Sequence, residues 1–274
     1  MLTTGTDHTV PVAAPRGTVL RIAADLEGWA QHHPPTVHVE PGPGDEVLGW
    51  SLVNDHAVRC WRARRRVDQD AGRLEWDPPG FELTVTPGQG RSCFVRLRGS
   101  DPGDVLDSLK AAAERDQELT ISFEDPLFVA GRVEDVYEYL RDAARWPERI
   151  PHVTRLELAE PGEGVQFFDM DTVTPDGAAH TTRSVRICLP YRKIVYKQTR
   201  RAPLLSAHTG SWTLHARPEG VTAVARHTAT IDPAMLSPGV SVQDARSYLR
   251  RALGANSMKT LRCAKAYAEE RAHG

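Results

Sequence analysis

Residues Val12–Glu40 read VAAPRGTVLRIAADLEGWAQHHPPTVHVE, and Val129–Glu157 read VAGRVEDVYEYLRDAARWPERIPHVTRLE. The two stretches align without a gap. Val12/Val129, Ala13/Ala130, Val19/Val136, Asp25/Asp142, Trp29/Trp146, Pro34/Pro151 and Glu40/Glu157 are identical pairs, each 117 residues apart. Only six tryptophans occur in 274 residues. A tryptophan matched inside an ordinary helical pattern therefore marks a duplication rather than two helices that happen to look alike. The chain reads as two copies of one fold.

Working outward from the second copy, LTISFEDPLFV alternates as a strand does. Val133, Val136, Tyr137, Leu140 and Ala144 then fall at helical spacing, with Glu134 and Asp135 in a first turn where acidic groups favour the helix dipole. The pair Trp146-Pro147 is expected to end that helix, because a residue before proline is pushed out of the helical region. The strands VQFFDMDTV, HTTRSVRICL, KIVYKQT, GSWTLHA and VTAVARHTATI follow, separated by turns such as Pro175-Asp176-Gly177 and Pro218-Glu219-Gly220. A long helix, VQDARSYLRRALGANSMKTLRCAKAYAEE, closes the copy. Consecutive strands with short turns imply an antiparallel sheet, so the class is α+β. The first copy repeats the order with DEVLGWSLVN, AVRCWRARRRV, GRLEWD, FELTVTP and RSCFVRLRG. Its closing helix, DPGDVLDSLKAAAER, is half as long, with Asp101 as its cap and Pro102 in its first turn. The expected domains are 1–117, smaller or partly closed and accessory, and 118–274, catalytic.

Charged residues make up 26% of the chain and hydrophobic ones 40%, enough for a buried core. The net charge of -2 gives no general reason to bind nucleic acid. Mean hydropathy is -0.42, no apolar run reaches a membrane span, and MLTTGTDHTV has no leader-like pattern. Cys60, Cys93, Cys188 and Cys263 form no CxxC or zinc spacing. A cytoplasmic protein is expected. No phosphate-binding, dinucleotide, GxSxG or HExxH motif occurs, so neither a cofactor nor a metal is expected.

Strand alternation sorts the interior residues. Lys193, Val195 and Lys197 take the outer parity, which leaves Ile194, Tyr196 and Gln198 inward. His208, Gly210, Trp212 and Leu214 share one face, as do Ala225, His227, Ala229 and Ile231. His208 and His227 thus lie on apolar faces, where a hydrogen-bonded core histidine is the plain alternative to a functional one. Ser184 and Arg186 share a face with His180, Thr182 and Cys188, yet neither face of that strand is plainly apolar. In the closing helix, Asn256 interrupts an apolar stripe of Val242, Ala245, Leu249, Leu253, Thr260 and Cys263. A buried amide needs partners or a wet cavity. In the first copy, Arg62, Arg64 and Arg66 form a basic face, opposite Trp61, Ala63, Arg65 and Val67.

The segments RWPERIPHVTRLEL, DMDTVTPDGAAHTTRSVRICLPYRKIVYKQT, HTGSWTL and ALGANSMKTLRCAKAYAEE resemble the second half of the di-domain aromatase/cyclases of bacterial aromatic (type II) polyketide synthases. The first half, with GWAQHHPPTVHVE and CWRARRRVD, is similar more loosely. The resemblance implies two tandem helix-grip (START-like) domains, each a curved antiparallel sheet around a long helix. It implies an aldol closure and a dehydration that aromatise the first ring of a poly-β-ketone held on an acyl carrier protein, alongside other polyketide synthase components. The family's cavity arginine and the serine two residues before it fall on Arg186 and Ser184. Their first-copy equivalents are Arg65 and Ala63, where the hydroxyl is missing. A buried arginine stays charged and can hold an enolate or a carbonyl. His208 and Tyr196 are the candidate proton-transfer groups, and Trp146, Gln198, Trp212, His227 and Asn256 the candidate pocket lining. The basic strand face could dock the acidic carrier, or it could simply be solvated. The alternative function is a non-catalytic carrier of a hydrophobic polyketide or lipid, since a fold does not fix a function. No nucleic-acid or membrane partner is expected.

Overall fold

The computed structural model describes residues 6–78, 80–99, 104–173, 177 and 179–273. The chain divides into two compact units, Met1–Asp116 and Gln117–Gly274. The first runs β1 (Thr6–Val12), α1 (Arg16–Ala24), α2 (Trp29–His32), β2 (Thr36–Pro41), β3 (Glu46–Asn54), β4 (Ala57–Asp68), β5 (Arg73–Asp77), β6 (Phe81–Pro87), β7 (Cys93–Gly99) and α3 (Val105–Glu114). The second runs β8 (Thr120–Val129), α4 (Val133–Arg141), α5 (Trp146–Arg149), β9 (Val153–Gly162), β10 (Val165–Val173), β11 (Ala179–Leu189), β12 (Lys193–Arg200), β13 (Leu205–Arg217), β14 (Gly220–Ile231) and α6 (Val242–His273).

Each unit holds one antiparallel sheet. The strand orders are β1-β7-β6-β5-β4-β3-β2 and β8-β14-β13-β12-β11-β10-β9. A strand of the first unit thus corresponds to the strand seven places later. Both units are α+β helix-grip domains with a C-terminal helix against the sheet. The hairpins β2–β3 and β9–β10 differ in reach. Glu40 pairs with Leu48 in the first, whereas Glu157 pairs with Asp169 in the second.

At ~1.5 Å per residue, the 32-residue α6 reaches far beyond the 10-residue α3. Ser241 starts α6 with a reciprocal cap. Its hydroxyl accepts from the Asp244 amide at 3.1 Å, and the Asp244 carboxylate accepts from the Ser241 amide at 3.1 Å. The apolar core of the second unit gathers at two ends. Trp146, Phe168, Ile194 and Leu214 pack with Leu261, Ala264 and Ala268 of α6 at one. Ile121, Leu205 and Ile231 pack with Ala245 and Leu249 at the other. The stretch of α6 between those ends buries the small residues Gly254 and Ser257.

Several local expectations change. Trp146 keeps a helical backbone and opens the short α5, with Pro147 in its first turn. Proline fits there because the missing N–H is one a helix start leaves unpaired anyway. The exits after α2 and α5 are strands β2 and β9. Asp101, Pro102, Pro175 and Asp176 lie outside the described residues. Asp104 precedes α3 without a side-chain cap bond. The stripe on α6 buries Ser257, while Asn256 sits beside it, half-buried. Among the described residues no helix is long and apolar enough to cross a membrane.

Candidate active site

Arg186 is wholly buried on β11. Its Nη2 donates to the carbonyls of Leu140 at 3.1 Å and Arg141 at 3.0 Å, and to Gln166 Oε1 at 2.5 Å. Those carbonyls end α4, where the helix dipole is negative and a cation is favoured. The guanidinium lies 5.0 Å from the Trp146 ring centre and 5.5 Å from that of Phe168. No carboxylate touches it among the described residues. Gln166 passes the contact outward, donating to Glu160 Oε1 at 2.7 Å. Burial pulls the Arg186 pKa below the ordinary arginine value. Two of its donors, Nε and Nη1, are buried without a partner among the described residues. A buried donor left unpaired costs on the order of 1–3 kcal/mol, so such atoms mark where a ligand oxygen would be welcome.

The inward face of the neighbouring strands continues from Arg186. Tyr196 is its cross-strand partner, and Gln198 that of Ser184. Ser184 is buried. Aromatic rings run in contact from Trp146 to Trp212 (5.8 Å), to Tyr196 (5.3 Å) and to His208 (5.6 Å). The Tyr196 hydroxyl lies 2.9 Å from His227 Nδ1, and His208 Nε2 lies 3.3 Å from the same nitrogen. One imidazole nitrogen either accepts a proton or donates one. Two groups converging on it therefore share a proton with two destinations. Burial, with His227 alongside, lowers the His208 pKa to about 3. Burial, with Arg250 nearby, lowers that of His227 to about 4. Both rings are neutral at pH 7. Burial raises the Tyr196 pKa, so that hydroxyl keeps its proton. Gln198 Oε1, His208 Nδ1, His227 Nε2 and the indole nitrogens of Trp146 and Trp212 are buried without partners among the described residues. The structure thus brings Arg186, Ser184, Tyr196, Gln198, His208, Trp212, His227 and Trp146 onto one interior face. Asn256 is placed differently: its backbone carbonyl accepts from the Thr260 hydroxyl at 3.2 Å.

The first unit carries a counterpart. Arg65 Nη2 donates to the carbonyls of Ala23 at 3.0 Å and Ala24 at 2.8 Å, the repeat equivalents of Leu140 and Arg141. Its guanidinium sits 5.2 Å from the Trp76 ring centre, and burial lowers its pKa to about 10. The equivalence of Arg65 with Arg186 is thus carried by the contacts themselves. Nearby opens a cavity of about 610 Å³, walled by Trp29, Trp61, Trp76 and Phe81 among others. The short α3 does not fill it; Val105 and Leu109 form part of the wall. Helix length alone pointed to a restricted space here.

A family model described as polyketide cyclase/dehydrase and lipid transport matches residues 120–269. The chain belongs to the polyketide cyclase/dehydrase family. Among its relatives is the actinorhodin polyketide synthase bifunctional cyclase/dehydratase of Streptomyces coelicolor, 38% identical over 95% of this chain and 96% of that protein. The granaticin polyketide synthase bifunctional cyclase/dehydratase of Streptomyces violaceoruber is 36% identical over 93% and 91%. Two family structures span both units. The di-domain ARO/CYC StfQ from the steffimycin biosynthetic pathway is 47% identical, with TM-score 0.91 over 98% of this chain and 100% of that one. The di-domain ARO/CYC BexL from the BE-7585A biosynthetic pathway is 34% identical, with TM-score 0.88 over 97% and 99%.

Two features of the site escaped the sequence reading. Gln166, which fixes Arg186, is one of four polar residues in β10, with Asp169, Asp171 and Thr172, and gives no spacing signal. His33, on the cavity wall of the first unit, stands where the repeat has Ile150. That departure within the alignment was the available clue.

Proposed function

We propose that this protein closes and dehydrates a ring on a carrier-bound poly-β-ketone, in the cytoplasm and alongside other components of an aromatic polyketide synthase, with the second unit as the site of ring closure. The observation that carries this is the set of unpartnered buried polar atoms on one interior face of the second unit. A core built only for stability does not strand so many donors and acceptors.

The reaction needs an enolate, a polarised ketone and a proton path. His208, neutral and buried, takes a proton from a methylene between two ketones. Arg186 holds the accepting ketone oxygen through Nε and Nη1, with Ser184 beside it. The new carbon–carbon bond leaves an alkoxide, which Tyr196 protonates; His227 Nδ1 returns a proton to Tyr196 and receives in turn the proton that His208 took, so all three groups end as they began. The line of rings from Trp146 to His208 matches an extended chain of ketones. The carrier docks through the exposed Arg62, Arg64 and Arg66, whose charge would attract an acidic partner over about a Debye length.

The test is reconstitution with a ketosynthase, its partner and a loaded carrier. Adding the wild-type protein shifts the products from spontaneous shunt compounds to one cyclised aromatic product. His227→Phe, which keeps a ring and removes the relay nitrogen, cuts that product about 100-fold at an unchanged melting temperature. An unchanged product profile with His227→Phe removes the relay from the mechanism.

A further inference from the structure

The first unit has no counterpart of His227. The sheet registers show this directly. Arg186 pairs with Tyr196, Tyr196 with Gly210 and Gly210 with His227. In the first unit, Arg65 pairs with Trp76, Trp76 with Phe81 and Phe81 with Gly99. Glycine thus occupies the place of His227, and among the described residues no imidazole relay crosses that sheet. An imidazole instead enters from the other side. His33 follows α2 and stands where the repeat has Ile150, itself part of the apolar core of the second unit. His33 is buried and lines the 610 Å³ cavity. Its ring stacks on Trp29, 5.6 Å between centres at 19°. Its Nδ1 lies 2.8 Å from the Thr36 hydroxyl. That bond holds the ring in place. Four aromatic walls suit a flat ring, Ser51 supplies a hydroxyl, and Arg59 brings a cation to the cavity.

We propose that the first unit is a second reaction chamber, in which His33 removes water from a cyclised β-hydroxy ketone to complete an aromatic ring. The proposal rests on the ring-closing activity assigned to the second unit. The step balances without any added reagent. His33 Nε2 takes the proton from the carbon beside the ketone. The electron pair of that C–H bond passes into the carbonyl as an enolate, whose oxygen faces the cationic side of the cavity. The enolate re-forms the ketone, a carbon–carbon double bond appears, and the C–O bond to the hydroxyl breaks. The departing oxygen carries away the proton from His33 Nε2 as water, and His33 is neutral again. One histidine serves as base and then as acid, so the missing relay is not needed.

The test uses the full chain in the same reconstituted synthase. His33→Gln is expected to leave ring closure intact and to accumulate the cyclised hydroxy compound, 18 mass units heavier than the aromatic product. The ratio of dehydrated to hydroxylated product should fall at least ~10-fold, since positioned acid–base groups contribute ~100-fold or more. His33→Ala should behave alike, and added imidazole should restore dehydration, which a purely structural loss would not allow. Leu109→Trp, which fills the cavity from α3, should give the same hydroxy compound with His33 in place. If His33→Gln and Leu109→Trp both give the wild-type ratio, the first unit is no reaction chamber. If the wild-type protein itself fails to change the products, it is the ring-closing assignment that falls, and the two failures are told apart.

Discussion

Arg186 and Arg65 end their helices in the same way, each reaching from a strand to two consecutive carbonyls at the close of α4 or α1. Anchoring the helix is therefore the role the two copies share. Any role toward substrate belongs to the donors left over, Nε and Nη1 of Arg186 and Nε of Arg65. Their burial separates the consequences of losing them. Arg186→Ala strips three oxygens of a charged donor in a dry core and is expected to cost about 3 kcal/mol. Arg65→Ala is half-buried and is expected to cost about 1 kcal/mol. Urea midpoints of the two variants check this, and equal losses would refute it. The pairing of Arg186 with Ser184 was legible in the sequence from parity. The direction that pair faces was not, because Val185 and Ile187 on the opposite parity are as buried as Ser184 and Arg186. A strand buried on both faces has no polar half to point outward.

At the scale of elements, strands and closing helices were legible because their periods are long and their turns carry glycine and proline. β2 and β9 were not, since Pro34, Pro35, Pro41, Pro151 and Pro161 lie in or beside them and proline is rare inside a strand. α6 shows how a stripe can mislead by one position. Ser257 and Thr260 are the buried polar residues, and a serine or threonine, unlike Asn256, raises no alarm in a helical pattern. Close packing of β12 and β13 rests on Gly210. A Cβ there would run into the Tyr196 hydroxyl and the Arg226 carbonyl. Gly210→Ala is therefore expected to displace the tyrosine from His227, to cost about 1–3 kcal/mol, and to lower product yield as His227→Phe does. Thermal melting alongside product analysis checks both effects. Normal yield with a normal melting temperature would show that the tyrosine tolerates the shift.

For the whole molecule, three buried histidines set a limit on the acid side. Burial lowers the pKa of His152 to about 4, of His208 to about 3 and of His227 to about 4, against ~6.5 in an unfolded chain. Between those values the unfolded chain binds more protons than the native one, so stability is full above pH ~6.5 and declines as pH falls toward 4. Melting temperatures across that window should drop, and His152→Gln should flatten the drop. An identical slope in that variant would assign the effect to other groups. The duplication itself was legible from the aligned tryptophans; the open interior of the first unit was not, because wall residues far apart in sequence define it. The unequal hairpins carry a last consequence. The offset between copies is 117 residues at Glu40 and Glu157 but 121 at Arg65 and Arg186. The second ribbon holds eleven residues between its matched pair and the first seven, and β9 takes up one of the extra residues at a bulge opposite β10. An even step keeps every later side chain on its own side, whereas an odd one turns them over unless a bulge absorbs it. Insertions that keep the arginine in the interior must therefore arrive in pairs or bring a bulge with them, which gives chimera builders a counting rule for exchanging these ribbons between relatives.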